Sequence, residues 1–156
     1  MSLQQLPTEV ISKKLIFLDK ECRNQEEALS YMVQKVRENG YITRENEFLQ
    51  AVLTRENEVS TAIGYLIAIP HGKTDVVKQP FIAFMRLKQE IFWGQNQKEA
   101  VKLIFLIGVP QSGSDRLHLK FISQLSKKLL DEKFREKLLG EDQICSVYQQ
   151  LTFIES

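Results

Sequence analysis

Val101-Lys102-Leu103-Ile104-Phe105-Leu106-Ile107-Gly108-Val109 is the stretch on which the architecture turns. It is rich in Val, Ile, Leu and Phe and has little of the in-out alternation of a strand with one wet face. It therefore predicts a strand covered on both faces, and such a strand needs a layer above it and another below. Leu66 to Ile69 and Phe81 to Leu87 have the same character and precede it. Upstream, the short apolar run Leu15 to Leu18 leads to Asn24, a helix N-cap with Glu27 three residues on, close to a capping box. Ala28, Leu29, Met32, Val33 and Val36 then recur at helical spacing, and Gly40 stands where a helix would stop. Thr43 reads as the next N-cap, with Phe48, Leu49, Val52 and Leu53 as the apolar stripe of a second helix ending near Arg55 to Asn57. Downstream of Pro110, the loop QSGSDR supplies Ser114 or Asp115 to cap a helix that turns Leu117, Phe121, Ile122, Leu125 and Leu129 inward. Two shorter helices follow, one around Phe134 and Leu138 that stops at Gly140, and one capped by Asp142. Strands mixed with helices on either side predict an α/β fold, a sandwich of a mixed central β-sheet flanked by helices.

The chain of 156 residues fits one domain, with an ordered core expected over roughly 10–153. Its 21 basic and 20 acidic residues nearly cancel, so no global field favours nucleic acid or an anionic membrane, and any anion site must be local. Cys22 and Cys145 are far apart and form no CxxC, which argues against a zinc cluster or a redox pair. The opening MSLQQLPTEVISKK lacks the pattern of a secretory signal, and the longest apolar runs fall far short of the ~20 residues that span a bilayer, so a cytoplasmic location is expected.

Only two histidines occur, so imidazole chemistry rests on His71, His118 or both. An apolar strand runs through Ile69 into Pro70, which is expected to end the ladder, and Gly72 follows His71. The imidazole should then be presented at a strand end, held by a rigid proline, with the glycine leaving one face open. A histidine beside a strand is commonly a packing residue, and local context alone does not decide between that and a reactive group. His118 falls in the first turn of its helix, where free N–H groups and partial positive charge attract phosphate and favour neutral imidazole, though it also borders the apolar stripe. Arg55, where a helix becomes a loop, is placed to reach an anion or the helix's own last carbonyls.

Other chemistries lack their signatures. Two histidines without HExxH or a cysteine cluster do not supply the three ligands of a catalytic zinc. Neither GxSxG nor GxxxxGK[ST] is present, so serine hydrolysis and nucleotide binding have no motif. Lys127, Lys128, Lys133, Arg135 and Lys137 alternate with acids and apolar residues and read as a solvated helix face.

Arg55-Glu56, Ser60-Thr61, Ile63-Gly64, Ala68-Ile69-Pro70-His71-Gly72, the segment Ile91-Phe92-Trp93-Gly94 and the later His118-Leu119 resemble, in order and spacing, the fructose/mannitol-type enzyme IIA family of the bacterial sugar phosphotransferase system. Two departures stand out. Leu66 replaces a glycine of the family's Gly-x-Gly-[IV], and Asn96-Gln97-Lys98 does not match its small turn. The resemblance implies a phosphocarrier in which His71 accepts a phosphoryl group from phospho-HPr and passes it to the cysteine of an enzyme IIB, from which a membrane IIC permease delivers it to a fructose/mannitol-class sugar. It further implies Arg55 as the cation on the phosphoryl oxygens, His118 as a hydrogen-bond donor, and no cofactor. Leu66 and Ile67 are expected on the rim of the partner face. Nitrogen-type regulatory relatives share fold and motif, so a module whose phosphorylation state controls a protein partner is the alternative implied function.

Overall fold

A computed structural model of the chain describes residues 9–94, 98–112 and 116–154. A 3-10 turn at Lys13–Leu15 leads into strand β1 (Ile16–Lys20), followed by helices α1 (Gln25–Glu38) and α2 (Glu45–Glu58). Three short strands come next, β2 (Ala62–Gly64), β3 (Ile67–Ala68) and β4 (His71–Lys73), then the long hairpin of β5 (Phe81–Trp93) and β6 (Glu99–Val109). Helices α3 (Leu117–Lys128), α4 (Glu132–Gly140) and α5 (Ile144–Leu151) complete the chain.

The expected mixed sheet is present, in the order β1-β5-β6-β3-β2 with β4 also on β6. β5 and β6 pair antiparallel, while β1 runs parallel to β5, and β3 and β4 run parallel to β6. β6 is the central strand, and its apolar run serves both faces. Ile104 and Leu106 pack with Leu29, Phe48 and Val52 under α1 and α2. Leu103, Phe105, Ile107 and Val109 pack with Phe121, Leu125, Leu138 and Val147 under α3, α4 and α5. A bulge resets this alternation: the N–H groups of Lys102 and Leu103 both donate to the carbonyl of Leu66, at 2.7 and 2.9 Å. Val101 is thereby turned to the α1–α2 side although its parity is that of Leu103.

Among the described residues, two helices start on the side-chain caps their sequence offers, and three do not. The Asn24 side chain accepts from the Glu27 N–H at 2.9 Å, and Asp131 caps α4 in the same manner. Thr43 does not cap α2. Its N–H donates to the Val76 carbonyl at 2.9 Å, tying the α1–α2 connection to the loop after β4, and α2 starts at Glu45 behind Arg44. α5 starts behind Gln143, not Asp142, and without a side-chain cap. α3 starts behind Arg116, in the left-handed region and without a side-chain cap, and not behind Ser114 or Asp115, which lie outside the described residues, as do Asn96 and Gln97.

The two-residue turn between β2 and β3 is made by Tyr65 (φ 57°) and Leu66 (φ 67°). Both occupy the left-handed region, where hairpins of this kind take Asn or Gly, so Leu66 is strained at the position where the family pattern has glycine. Arg135 of α4 stacks on the Tyr65 ring, its guanidinium carbon 3.9 Å from the centroid, and donates to the Leu129 carbonyl at 2.7 Å. Arg135 is therefore a packing residue and not part of a freely solvated face.

Candidate functional site

Pro70 interrupts the edge ladder but does not end it. Its carbonyl accepts from the Ile107 N–H at 2.9 Å, and pairing resumes at once as His71, Gly72 and Lys73 align with Ile107, Gly108 and Val109. His71 is thus the first residue of a strand, locked to the central one. Side chains alternate along this edge. Ala68 packs with the α1–α2 core, whereas Ile67 and Ile69 face α3–α5, and His71 and Lys73 continue that second face. Gly72 points the other way. A Cβ there would stand 3.0 Å from the Phe48 ring and 3.1 Å from a Val52 methyl, so the missing side chain lets α2 close on β4 and does not open a face beside His71. That close approach brings the last turn of α2, with Arg55, toward the histidine.

The three expected residues do converge. The His71 and His118 ring centroids are 5.9 Å apart, and the Arg55 charge lies near enough to act on His71. The Arg55 guanidinium donates to the Val59 carbonyl at 2.7 Å, which satisfies one of the helix's last acceptors and orients the side chain. His118 is the second residue of α3, in the first turn as anticipated. Leu66 and Ile67 do not form the rim. Leu66 lies at the opposite end of the edge, against Lys102 and Leu103, and Ile67 is fully buried under α3–α5. Leu119, next to His118, is the exposed apolar residue adjoining the pair.

The hydrogen bonds distinguish the two rings. His71 Nδ1 is 3.1 Å from the Ile69 carbonyl, an acceptor, so Nδ1 carries the proton and Nε2 keeps its lone pair. His118 Nδ1 is buried with no hydrogen-bond partner among the described residues. An orphaned N–H is rarer than an orphaned acceptor, which assigns the His118 proton to Nε2. Both rings are pushed toward the neutral form. Burial, the largest cause, and then Arg55 push the His71 pKa down against the raising effect of its bond to Ile69. Burial, then the charges of His71 and Lys73, push His118 down. One ring offers a nucleophilic nitrogen and the other a donor.

Two further features escaped the sequence reading. Lys73 sits two residues beyond His71 on the same strand face, a position hidden once Pro70 was taken to end the ladder. Glu56, 6% exposed, accepts from the Thr61 N–H at 3.1 Å, from the Thr61 hydroxyl, and from Trp93 Nε1 at 3.3 Å. This network fixes the end of α2 that carries Arg55, and it joins one residue from each of the Arg55-Glu56, Ser60-Thr61 and Trp93-Gly94 pairs.

Comparison with known proteins agrees with this geometry. Residues 9–152 match the family described as phosphoenolpyruvate-dependent sugar phosphotransferase system, EIIA 2. A fructose-like EIIA component of the phosphotransferase system from Escherichia coli strain K12 is 39% identical over 115 residues, 72% of this chain and 77% of that protein. The nitrogen regulatory protein IIA-Ntr from Neisseria meningitidis superposes with a TM-score of 0.81 at 26% identity, covering 90% of this chain and 95% of that one. Enzyme IIAMTL from Escherichia coli, solved in complex with phosphorylated enzyme IIBMTL, gives a TM-score of 0.79 at 25% identity, over 92% of this chain and 97% of that one.

Proposed function

We propose, from the premise that the chain belongs to the EIIA 2 family of the phosphoenolpyruvate-dependent sugar phosphotransferase system, that it is a cytoplasmic, single-domain phosphocarrier whose acceptor atom is His71 Nε2. The carrying observation is the bond from His71 Nδ1–H to the Ile69 carbonyl, which leaves Nε2 as the one basic nitrogen of that ring. In the first step the Nε2 lone pair forms a bond to the phosphorus of phospho-HPr. The donor's own P–N bond breaks, its electron pair returning to the donor imidazole. In the second, a cysteine thiolate of an enzyme IIB attacks the same phosphorus and the pair of the P–Nε2 bond returns to His71. Neither step needs a cofactor, because the chemistry is in-line positioning plus stabilisation of charge on the equatorial oxygens. Arg55 supplies positive charge to those oxygens, and His118 Nε2–H donates to one of them. Being neutral, His118 does so without trapping the product.

The chain's likeness to a fructose-like EIIA component supports a fructose/mannitol-class sugar as the final acceptor, reached through IIB and a membrane IIC permease. Its likeness to a nitrogen regulatory protein IIA-Ntr favours a second reading, in which the phosphorylated chain controls a protein partner. One experiment separates them. Wild type and His71→Ala are incubated with phosphoenolpyruvate, enzyme I and HPr, weighed intact, and then mixed with IIB proteins. Transport predicts an acid-labile phosphate on wild type alone that leaves on addition of IIB, whereas retention against every IIB favours regulation. A folded wild type that never labels rejects both.

A further inference from the structure

The strand that presents His71 also presents Lys73. In a β-strand, residues two apart lie on the same face, about 6.6 Å apart along the chain. Register fixes this pair firmly, since His71 aligns with Ile107, Lys73 with Val109, and the Thr74 N–H closes onto the Val109 carbonyl at 3.2 Å. Lys73 is half-buried, and no ion pair holds it among the described residues. Among the described residues two lysines, Lys35 and Lys88, are paired with carboxylates, at Glu38 and Glu21; Lys73 is among those that are not, and it is set apart by its place on the face of His71. A cation without a counter-charge, fixed on the same face as a nucleophilic nitrogen, is in place to meet an anion that arrives with the reaction.

We infer that Lys73 is a second cationic ligand of the phosphoryl group carried by His71, acting from the strand while Arg55 acts from the end of α2. The inference rests on the phosphocarrier reading. Its chemistry follows from the charge of the group, because a phosphoryl dianion on Nε2 is poorly neutralised by one guanidinium, and the neutral His118 contributes a hydrogen bond without charge. The influence of Lys73 on His118 agrees with this placement, as its charge already opposes protonation of that ring.

Phosphoramidate separates an effect on the phosphoryl group from an effect on a docked protein. With it, the Nε2 lone pair forms the P–N bond while the bond to ammonia breaks, and ammonia leaves with the electron pair. Wild type, Lys73→Gln and Lys73→Arg are reacted with phosphoramidate alone and, in parallel, with phosphoenolpyruvate, enzyme I and HPr, and the acid-labile mass gain is followed. Lys73→Gln is expected to slow both reactions about tenfold, with Lys73→Arg recovering most of the rate. The His118 NMR titration midpoint should rise in Lys73→Gln, a change that a purely structural role would not produce. Unaltered phosphoramidate labelling in Lys73→Gln overturns the inference even if the HPr reaction slows, because Lys73 then touches the partner and not the phosphoryl group. An unmoved His118 midpoint also overturns it. Failure of wild type to label with either donor sinks the phosphocarrier reading itself.

Discussion

Arg86 and the His71–His118 pair lie on the same side of the sheet, facing α3–α5, in opposite hydrogen-bonding states. Arg86 is opposite Leu103 on β6 and His71 is beside Ile107, four residues or roughly 13 Å further along. The Arg86 side chain is 4% exposed. Its Nε and Nη2 donate to the Asp19 carboxylate at 2.9 and 3.1 Å, and Nη1 donates to the carbonyls of Leu138 and Glu141. The pairing in turn holds the Asp19 carboxyl below its usual pKa. At the other end, among the described residues, His118 Nδ1 has no partner and the Arg55 side chain makes one bond, to a carbonyl of its own helix terminus. A cation with all three of its nitrogens engaged holds elements together and has little left to offer a ligand. Polar groups left partly unengaged carry an unfavourable native-state term that binding can remove.

If that contrast holds, substitutions at the two ends should affect different observables. His71→Ala has the largest effect, complete loss of labelling measured by intact mass. It should also flatten the pH dependence of stability. Folding lowers the His71 pKa below its ordinary value of 6.5, so the unfolded chain binds more protons and the wild type loses stability as pH falls from above 6.5 toward the folded value. Urea midpoints at pH 7.5 and pH 5.5 should therefore differ less in the variant. Next, Arg86→Met should cost about 3 kcal/mol, because one buried and one half-buried carbonyl lose their donor, and should lower Tm by roughly 6–12 °C while the folded fraction still labels normally. A labelling defect there would break the comparison. Arg55→Gln and His118→Asn should each slow labelling about 100-fold, with urea midpoints showing a stability change under about 1 kcal/mol. Smallest is Leu66→Gly at the Arg86 end, expected to stabilise by about 0.5 kcal/mol in urea titration as left-handed strain is relieved against greater chain entropy, with no change in labelling.

Sequence reading succeeded where the pattern was long. Val101 to Val109 exceeds any ambiguity between a one-faced and a two-faced strand, and Asn24 with Glu27 specifies a helix start through a bond that forms locally. It failed where elements were short or depended on distant partners. β2, β3 and β4 span two or three residues each, too few for a period to register, and β4 exists because the edge of β6 is available to it. Thr43 has the chemistry of a cap, but the Val76 carbonyl competes for it from more than thirty residues away. The convergence of His71, His118 and Arg55 could be anticipated from motif order, whereas the placement of Lys73 on the same strand face as His71 could not once the ladder was taken to stop at Pro70. The expected rim at Leu66 and Ile67 followed from nearness in sequence, and strand direction carries those residues to the far end of the edge.

The carbonyl of Ile69 occupies one nitrogen of His71, and on the proposed phosphocarrier reading this leaves a single route for phosphorus into and out of the ring. Each in-line displacement turns the phosphoryl group inside out, as an umbrella inverts in wind. A phosphorus made chiral with oxygen isotopes would sit on His71 with its handedness reversed and leave with the original handedness restored, so the stereochemical outcome of the whole relay records whether the number of transfers is odd or even.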